Sequence, residues 1–248
     1  DRGHPERLAR AGTGAPVSGG IGRTEVDGVV ELSLERPDSR NALTTEMLRA
    51  LLGHLEQLQE SPAVRAVILC GAGEVFCGGA DTREFPASAP PNASLARVRL
   101  VAAVLRRLSE LEPPTIAVVH GAAIGAGWGL ALSCDLCFAA EGSRFALPEA
   151  VKGYRLPAAI PQRLTRILGP VRAAELVLTG AERNADRGVN EGWVNAVFPD
   201  RAAALAHARE VARAMAASPR TSMTAAKVAL RGPGSEPFPP SNLVWQEE

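Results

Sequence analysis

The 248-residue chain is 46% hydrophobic and 22% charged, enough apolar side chain to bury a sizeable core as one large domain or two small ones. Its 27 basic residues balance 27 acidic ones, and a formal charge of zero excludes the basic surface with which proteins grip nucleic-acid phosphates. Aromatic residues, at 4%, are too few for a platform of stacked bases.

Residues 1–20 mix Gly, Pro, Ser and Arg without periodicity and read as a disordered tail. Val29–Leu34 begins with two valines and then alternates polar with apolar, as a strand does, and Arg36-Pro37-Asp38-Ser39 closes it. Thr44 then caps a helix whose Leu48, Leu51, Leu52, Leu55 and Leu58 recur on one face. Residues 64–70 are apolar almost throughout, the composition of a strand covered on both faces. Gly71-Ala72-Gly73 turns the chain into Phe76-Cys77-Gly78-Gly79-Ala80-Asp81, and a Pro- and Ser-rich loop follows over 85–92. The next helix is expected to bury Leu95, Val98, Ala102, Leu105 and Leu108. Residues 115–120 form another apolar strand, then a glycine-rich turn and a helix through Leu130 and Leu132. Short strands are expected at Leu136–Ala140 and around Phe145. Beyond Pro157 the pattern is mostly helical, with an alanine-rich helix over 202–217; residues 233–240 hold too much Pro and Gly, and only 242–248 are left to restart a helix. Strands alternating with helices, followed by helices, make an α/β class. The chain begins without methionine and stops at Glu247-Glu248, which leaves room for missing residues at either end.

The run over 113–134 carries no charged side chain, and its length alone suggests a membrane span. Gly121, Gly125, Gly127, Gly129, a double proline and His120 argue instead for a strand, a glycine turn and a buried helix in a soluble, cytoplasmic protein with no membrane partner. The four cysteines are sparse and sit in apolar or glycine-rich contexts, which is reduced, cytosolic usage. Cys134 and Cys137 form a Cys-x-x-Cys, but no second pair or histidine cluster completes a metal site. There is no Gly-x-Gly-x-x-Gly after a strand, no Gly-x-x-x-x-Gly-Lys and no Gly-x-Ser-x-Gly, so dinucleotide, P-loop and serine-hydrolase readings lose their main support.

What remains is two glycine-rich turns, each following an apolar strand, where small residues let a ligand approach the backbone. The second opens a helix, whose first N–H groups are unpaired and lie at the positive end of the dipole. Two such turns, converging, can hold an oxygen that becomes negative during a reaction; tight backbone packing is the alternative explanation.

These segments have a recognisable form. Phe76-Cys77-Gly78-Gly79-Ala80-Asp81 resembles the first oxyanion segment of the crotonase, or enoyl-CoA hydratase/isomerase, superfamily, and His120 to Asp135 resembles its second. Arg36-Pro37 with Asn41-Ala42-Leu43, then Phe145-Ala146-Leu147-Pro148-Glu149, Gln162-Arg163-Leu164 and Leu178-Thr179-Gly180 follow in the family's order and spacing. The resemblance implies a crotonase-type ββα spiral core over 21–195 and a helical C-terminal region over 196–248, truncated if the family's terminal helices are missing.

By the same resemblance, the backbone N–H groups of Ala80 and Ala126 form an oxyanion hole for a thioester carbonyl, and Arg40, Ala42 and Asp81 lie where the family contacts CoA. Glu149 matches one of the two glutamates of family hydratases, while Gly129 stands at the position of the other. That favours double-bond isomerisation or related proton transfer by a single glutamate on acyl-CoA or a carrier-bound thioester. Hydration with Tyr154 or water in the missing acid's role, dehydration, thioester decarboxylation and a non-catalytic accessory role remain alternatives. The run from Gly153 to Pro161 is bulkier than the family's glycine-rich run, and Tyr154 is the chain's one tyrosine. The resemblance further implies no cofactor beyond the CoA thioester substrate, no metal, a place in fatty-acid metabolism, and a homotrimer or hexamer.

Overall fold

The computed structural model describes residues 20–84 and 91–231. The tail expected over 1–20, except residue 20 itself, most of the loop over 85–92 and the stretch beyond 231 lie outside the described residues. In chain order the elements are β1 (Ile21–Val26), β2 (Val29–Leu34), α1 (Thr45–Glu60), β3 (Ala66–Gly71), α2 (Pro91–Glu110), β4 (Thr115–Val119), β5 (Ala122–Ile124), α3 (Ala126–Ser133), β6 (Leu136–Ala140), β7 (Arg144–Ala146), α4 (Ala159–Leu168), α5 (Pro170–Thr179), β8 (Arg183–Asn184), α6 (Ala185–Glu191), β9 (Ala196–Phe198), α7 (Arg201–Ala217) and α8 (Arg220–Arg231).

The main sheet has the order β1-β2-β3-β4-β6-β9, parallel throughout except for the β1–β2 hairpin. That hairpin turns on Asp27-Gly28, both at positive φ (52° and 77°), as a two-residue turn matched to strand twist requires. β1 is not among the expected strands, although Asp-Gly between two extended runs is its signal.

Side chains alternate across the parallel strands, and both faces are covered, which is why β3 and β4 read as unbroken apolar runs. Val30, Leu32, Val67, Leu69, Ala117 and Val119 join α1, α2 and α3 in the larger core. Val29, Ala66, Ile68, Ile116, Val118 and Phe138 meet Ala204, Leu205, Ala208 and Ala212 of α7 on the other side, where alanines let the helix sit close.

α1 starts where Thr44 Oγ1 accepts from Met47 N–H at 3.1 Å, and it buries Met47, Leu48, Leu51, Leu55 and Leu58; Leu52 is half-buried. α2 departs from expectation. Of the five residues assigned to its buried face, Leu105 and Leu108 are buried together with Val101 and Val104, while Leu95, Val98 and Ala102 are half-exposed. The reason is visible at Val98 and Val101: both line a cavity, so the helix's apolar stripe is shared between the core and an open space.

The uncharged run over 113–134 resolves into β4, β5 and α3, all eight residues of α3 being buried. Trp128 anchors that helix against Phe145 and Trp193, with ring centroids 5.6 and 5.5 Å away. Among the described residues no helix is long and apolar enough to cross a membrane. Past residue 195 the chain is not purely helical, since β9 extends the sheet by pairing with β6. At the start of β4, Asp135 accepts from the N–H and Oγ1 of Thr115 at 2.8 Å and pairs with Lys227 of α8 at 2.6 Å, which makes it a structural carboxylate.

Candidate active site

The two glycine-rich segments leave the C-terminal ends of β3 and β4, where parallel sheets characteristically bind ligands. The first is stitched in place by backbone bonds. Cys77 N–H donates to Ala122 O at 3.0 Å, Ile124 N–H to Cys77 O at 3.0 Å, Leu43 N–H to Gly79 O at 2.8 Å, and Asp81 N–H to Leu43 O at 2.9 Å. In that parallel register residues 79 and 81 point their polar groups at Leu43, and Ala80 turns its own N–H the other way. The second segment is fixed by Gly125 N–H donating to Ala146 O at 2.8 Å, and Ala126 is the first residue of α3. Among the described residues neither Ala80 N–H nor Ala126 N–H has an acceptor.

Glycine is required where the segments touch. Gly79 (φ 93°) has no room for a side chain, because a Cβ would lie 2.8 Å from Ile124 O, and one at Gly127 would lie 2.6 Å from Cys77 O. Gly125 has φ 55° and ψ −122°, a conformation closed to other residues, and a Cβ there would overlap Glu149 Oε1.

Glu149 therefore lies directly against the second turn. It follows β7 in a tight loop, closed by Tyr154 N–H donating to Glu149 O at 2.8 Å and Lys152 N–H donating to Pro148 O at 3.0 Å. Its Oε2 is buried without a hydrogen-bond partner among the described residues. Burial pushes the carboxyl up to about 7, against smaller lowering effects from its own backbone N–H and from Lys152. Near neutral pH such a group can both accept and return a proton.

Ala80, Ala126, Glu149 and Tyr154 line one cavity of about 130 Å³, with Val98 and Val101 of α2 on an apolar wall. Tyr154 is 44% exposed, near the opening. Arg40, Ala42 and Asp81 are not part of the lining. They frame it: Arg40 O accepts from Gly78 N–H at 2.8 Å, and Ala42 O accepts from Arg36 Nη1 at 2.6 Å. The Asp81 carboxylate is held well below the usual range, chiefly by Arg83 at 2.7 Å and then by Arg36 at 3.2 Å. Glu84, another carboxyl near the segment, accepts from Thr45 N–H at 2.9 Å and pairs with the buried Arg97.

The position where family hydratases carry a second glutamate is lined by hydrocarbon. A Cβ at Gly129 would lie 2.7 Å from Ile160 Cδ1 and 3.1 Å from Leu105 Cδ1, so a side chain there requires the ends of these two residues of α4 and α2 to move. The sequence shows the bulky run containing Ile160 but not that it packs on Gly129. It also gives no sign that Arg97 of α2, or Lys152 and Arg155 of the loop after Glu149, reach the cavity lining; neither an arginine in an amphipathic helix nor cations in an exposed loop carry such a signal. The Cys-x-x-Cys is inert: burial pushes the Cys137 thiol up to about 12 and raises Cys134 too. Among the described residues no cluster of three His, Cys, Asp or Glu side chains forms a metal site.

Comparison with known proteins agrees with this architecture. The sequence model of the family described as enoyl-CoA hydratase/isomerase matches residues 24–239. A 2,3-dehydroadipyl-CoA hydratase of Escherichia coli (strain K12) is 36% identical over 203 residues, 82% of this chain and 78% of that protein. An enoyl-CoA isomerase/hydratase of Mycosarcoma maydis is 34% identical over 215 residues, 83% of this chain and 78% of its own. The crystal structure of an enoyl-CoA hydratase from Bacillus anthracis superposes with a TM-score of 0.81 at 32% identity, over 86% of this chain and 83% of that one. Its α/β fold is thus the crotonase fold, and the chain belongs to the enoyl-CoA hydratase/isomerase family of enzymes.

Proposed function

We propose that an acyl thioester lies in the cavity with its carbonyl oxygen between the N–H groups of Ala80 and Ala126, and that Glu149 is the acid/base of a double-bond isomerase. The two donors stabilise the enolate that forms when the α-carbon loses a proton; one such donor is worth about 3–4 kcal/mol in other enzymes. Glu149 takes a proton from C2 of a 3-enoyl thioester. The electron pair delocalises to the carbonyl oxygen and C4, and the protonated carboxyl returns its proton at C4 to give the 2-enoyl thioester. Proton count and charge balance with a single carboxyl, so neither a metal nor another cofactor enters the scheme.

The observation that carries this reading is the pairing of one unpartnered carboxyl in the cavity with a glycine, packed by Ile160 and Leu105, where a second would stand. A second reading, hydration, is favoured by Tyr154 in the same lining, where its phenol is able to stand in for the missing acid, and by the hydratase name of the Escherichia coli relative. Arg40, Ala42 and Asp81 frame the approach for CoA or for a carrier protein's pantetheine arm, and three or six copies assemble in solution.

Mass spectrometry of 2-enoyl-, 3-enoyl-, 3-hydroxyacyl- and malonyl-type CoA in D₂O separates the readings. Deuterium entry with migration of the double bond, lost in Glu149→Gln, is expected. Exchange that survives Glu149→Gln overturns the single-glutamate mechanism, gain or loss of one water moves the assignment to hydration or dehydration, and release of CO₂ to decarboxylation. No turnover, together with stimulation of a partner enzyme, would make the chain an accessory protein.

A further inference from the structure

Among the described residues of α2, positions 97, 101, 104, 105 and 108 are the buried ones, the spacing of a core-facing helical stripe. Val101, Val104, Leu105 and Leu108 suit that stripe, but its first member is Arg97, 6% exposed. A guanidinium in such a place costs stability unless its charge and its donors are met. Here they are met by the chain itself. Arg97 donates to Leu43 O, to Thr45 Oγ1 at 2.9 Å and to Glu84, whose carboxylate also accepts the Thr45 N–H at 2.9 Å.

The bond to Leu43 bears on the site. Leu43 O also accepts from Asp81 N–H at 2.9 Å, and Leu43 N–H donates to Gly79 O at 2.8 Å. The Gly79 C=O and the Ala80 N–H belong to one planar trans peptide, in which they point in opposite directions. The bond from Leu43 to Gly79 O therefore decides where the Ala80 N–H points, and Arg97 holds Leu43 from the side of α2. The nearest other side-chain anchor acts two residues away, where Asn41 Nδ2 donates to Ala72 O and Val75 O, both at 2.8 Å. Arg97 also lines the cavity, as Val98 and Val101 of the same helix do, so the helix that supplies the apolar wall also braces the oxyanion donor.

Resting on the thioester reading above, we infer that Arg97 is a positioning residue: through Leu43 O it sets the aim of the Ala80 N–H at the thioester carbonyl. The competing explanation is that Arg97 only neutralises Glu84 and closes the start of α1. The two roles part at the Leu43 bond, which Glu84→Gln leaves in place and Arg97→Met removes.

Difference infrared spectroscopy of bound butanoyl-CoA, isotopically labelled at the thioester carbonyl, tests this. An N–H aimed at the oxygen lowers the C=O stretching frequency, and a saturated thioester needs no turnover, so the outcome is independent of the D₂O exchange that tests Glu149. Wild type and Glu84→Gln are expected to lower the frequency equally. Arg97→Met/Glu84→Gln, which leaves no carboxylate stripped of its cation, is expected to lose about half of the lowering or more, because one of the two donors is misaimed. On 3-enoyl-CoA the same double variant should lose about tenfold or more in kcat, with KM within about threefold of wild type and the pH profile unmoved. A purely structural role moves neither the carbonyl frequency nor kcat alone. If the methionine variant does not fold, Arg97→Gln/Glu84→Gln, whose amide stops short of Leu43 O, reads the same difference. Full lowering in the folded double variant, or an equal loss in Glu84→Gln alone, overturns the inference. A carbonyl left unmoved by wild type overturns the thioester reading, and this inference with it.

Discussion

Glu149 is the residue whose environment does most to set the chemistry. Its carboxyl, raised from 4.5 to about 7 by burial, must lose a proton to act as base, so kcat/KM for proton abstraction is expected to rise with pH through about 7. The same shift bears on stability. A carboxyl that holds its proton more tightly when folded contributes stability that is fully present below its ordinary value and is lost as pH rises from 4.5 through about 7. Glu149→Gln escapes that loss, so at pH 9 the variant should unfold at higher denaturant than wild type, by about 2–3 kcal/mol, and the two should coincide near pH 4. A variant no more stable at pH 9 would show that the carboxyl is not desolvated. Gly125→Ala is the complementary test at this scale. Its φ of 55° and the overlap with Glu149 Oε1 predict at least about a hundredfold loss of turnover, from displacing the carboxyl, with about 1–3 kcal/mol of strain.

At the scale of elements, the contact of α3 with α4 and α2 decides which acids the site can have. Ile160 and Leu105 occupy the volume over Gly129, so Gly129→Glu places a carboxylate in hydrocarbon and is expected to cost about 3 kcal/mol or more by chemical denaturation, with no hydratase activity gained. Opening the wall with Ile160→Gly beside Gly129→Glu should recover part of that stability; if the single variant folds as well as wild type, Ile160 and Leu105 move aside without cost. None of this is legible in a linear reading. The sequence displays a glycine where a glutamate is usual and a bulky run after Pro-Glu, but only packing reveals that one change fills the space left by the other. The long elements are different. β2 and α1 are found from alternation, from leucine spacing and from Thr44, because each is stabilised by its own pattern. β5 and β8, three and two residues long, are set by neighbours: β5 exists because β7 and Cys77 lie beside it.

For the molecule as a whole, helices cover both faces of the six-stranded sheet, a small sheet of β5, β7 and β8 stands beside it, and the site grows from loops at the C-terminal ends of the parallel strands. The motifs make Ala80, Ala126 and Glu149 recognisable in sequence, yet their meeting in one cavity depends on the register of a sheet spanning most of the chain. The cations at 152 and 155 are legible only in three dimensions. Val171 and Leu178 on α5 and Leu230 on α8 are 82%, 69% and 88% exposed, apolar surface that suits burial between copies. Light scattering is therefore expected to give three or six times the 26.0 kDa chain mass, and a monomer at micromolar concentration would rule out that assembly.

The stitching of Ala80 into its ladder also shapes what mutation can reach. The polar group offered to the cavity there is a peptide N–H, aimed by strand register and not by side-chain identity, and the residue itself is exposed. Swapping one amino acid for another at position 80, proline apart because it has no N–H, leaves that group in place, so a substitution scan would score the site as largely tolerant. Inserting or deleting a single residue between Cys77 and Ala80, whose bridges to Ala123 and Leu43 fix the register, rotates the peptide away, and the same position becomes intolerant. Its information is held in spacing, which drifts under insertions and deletions and is blind to point substitution.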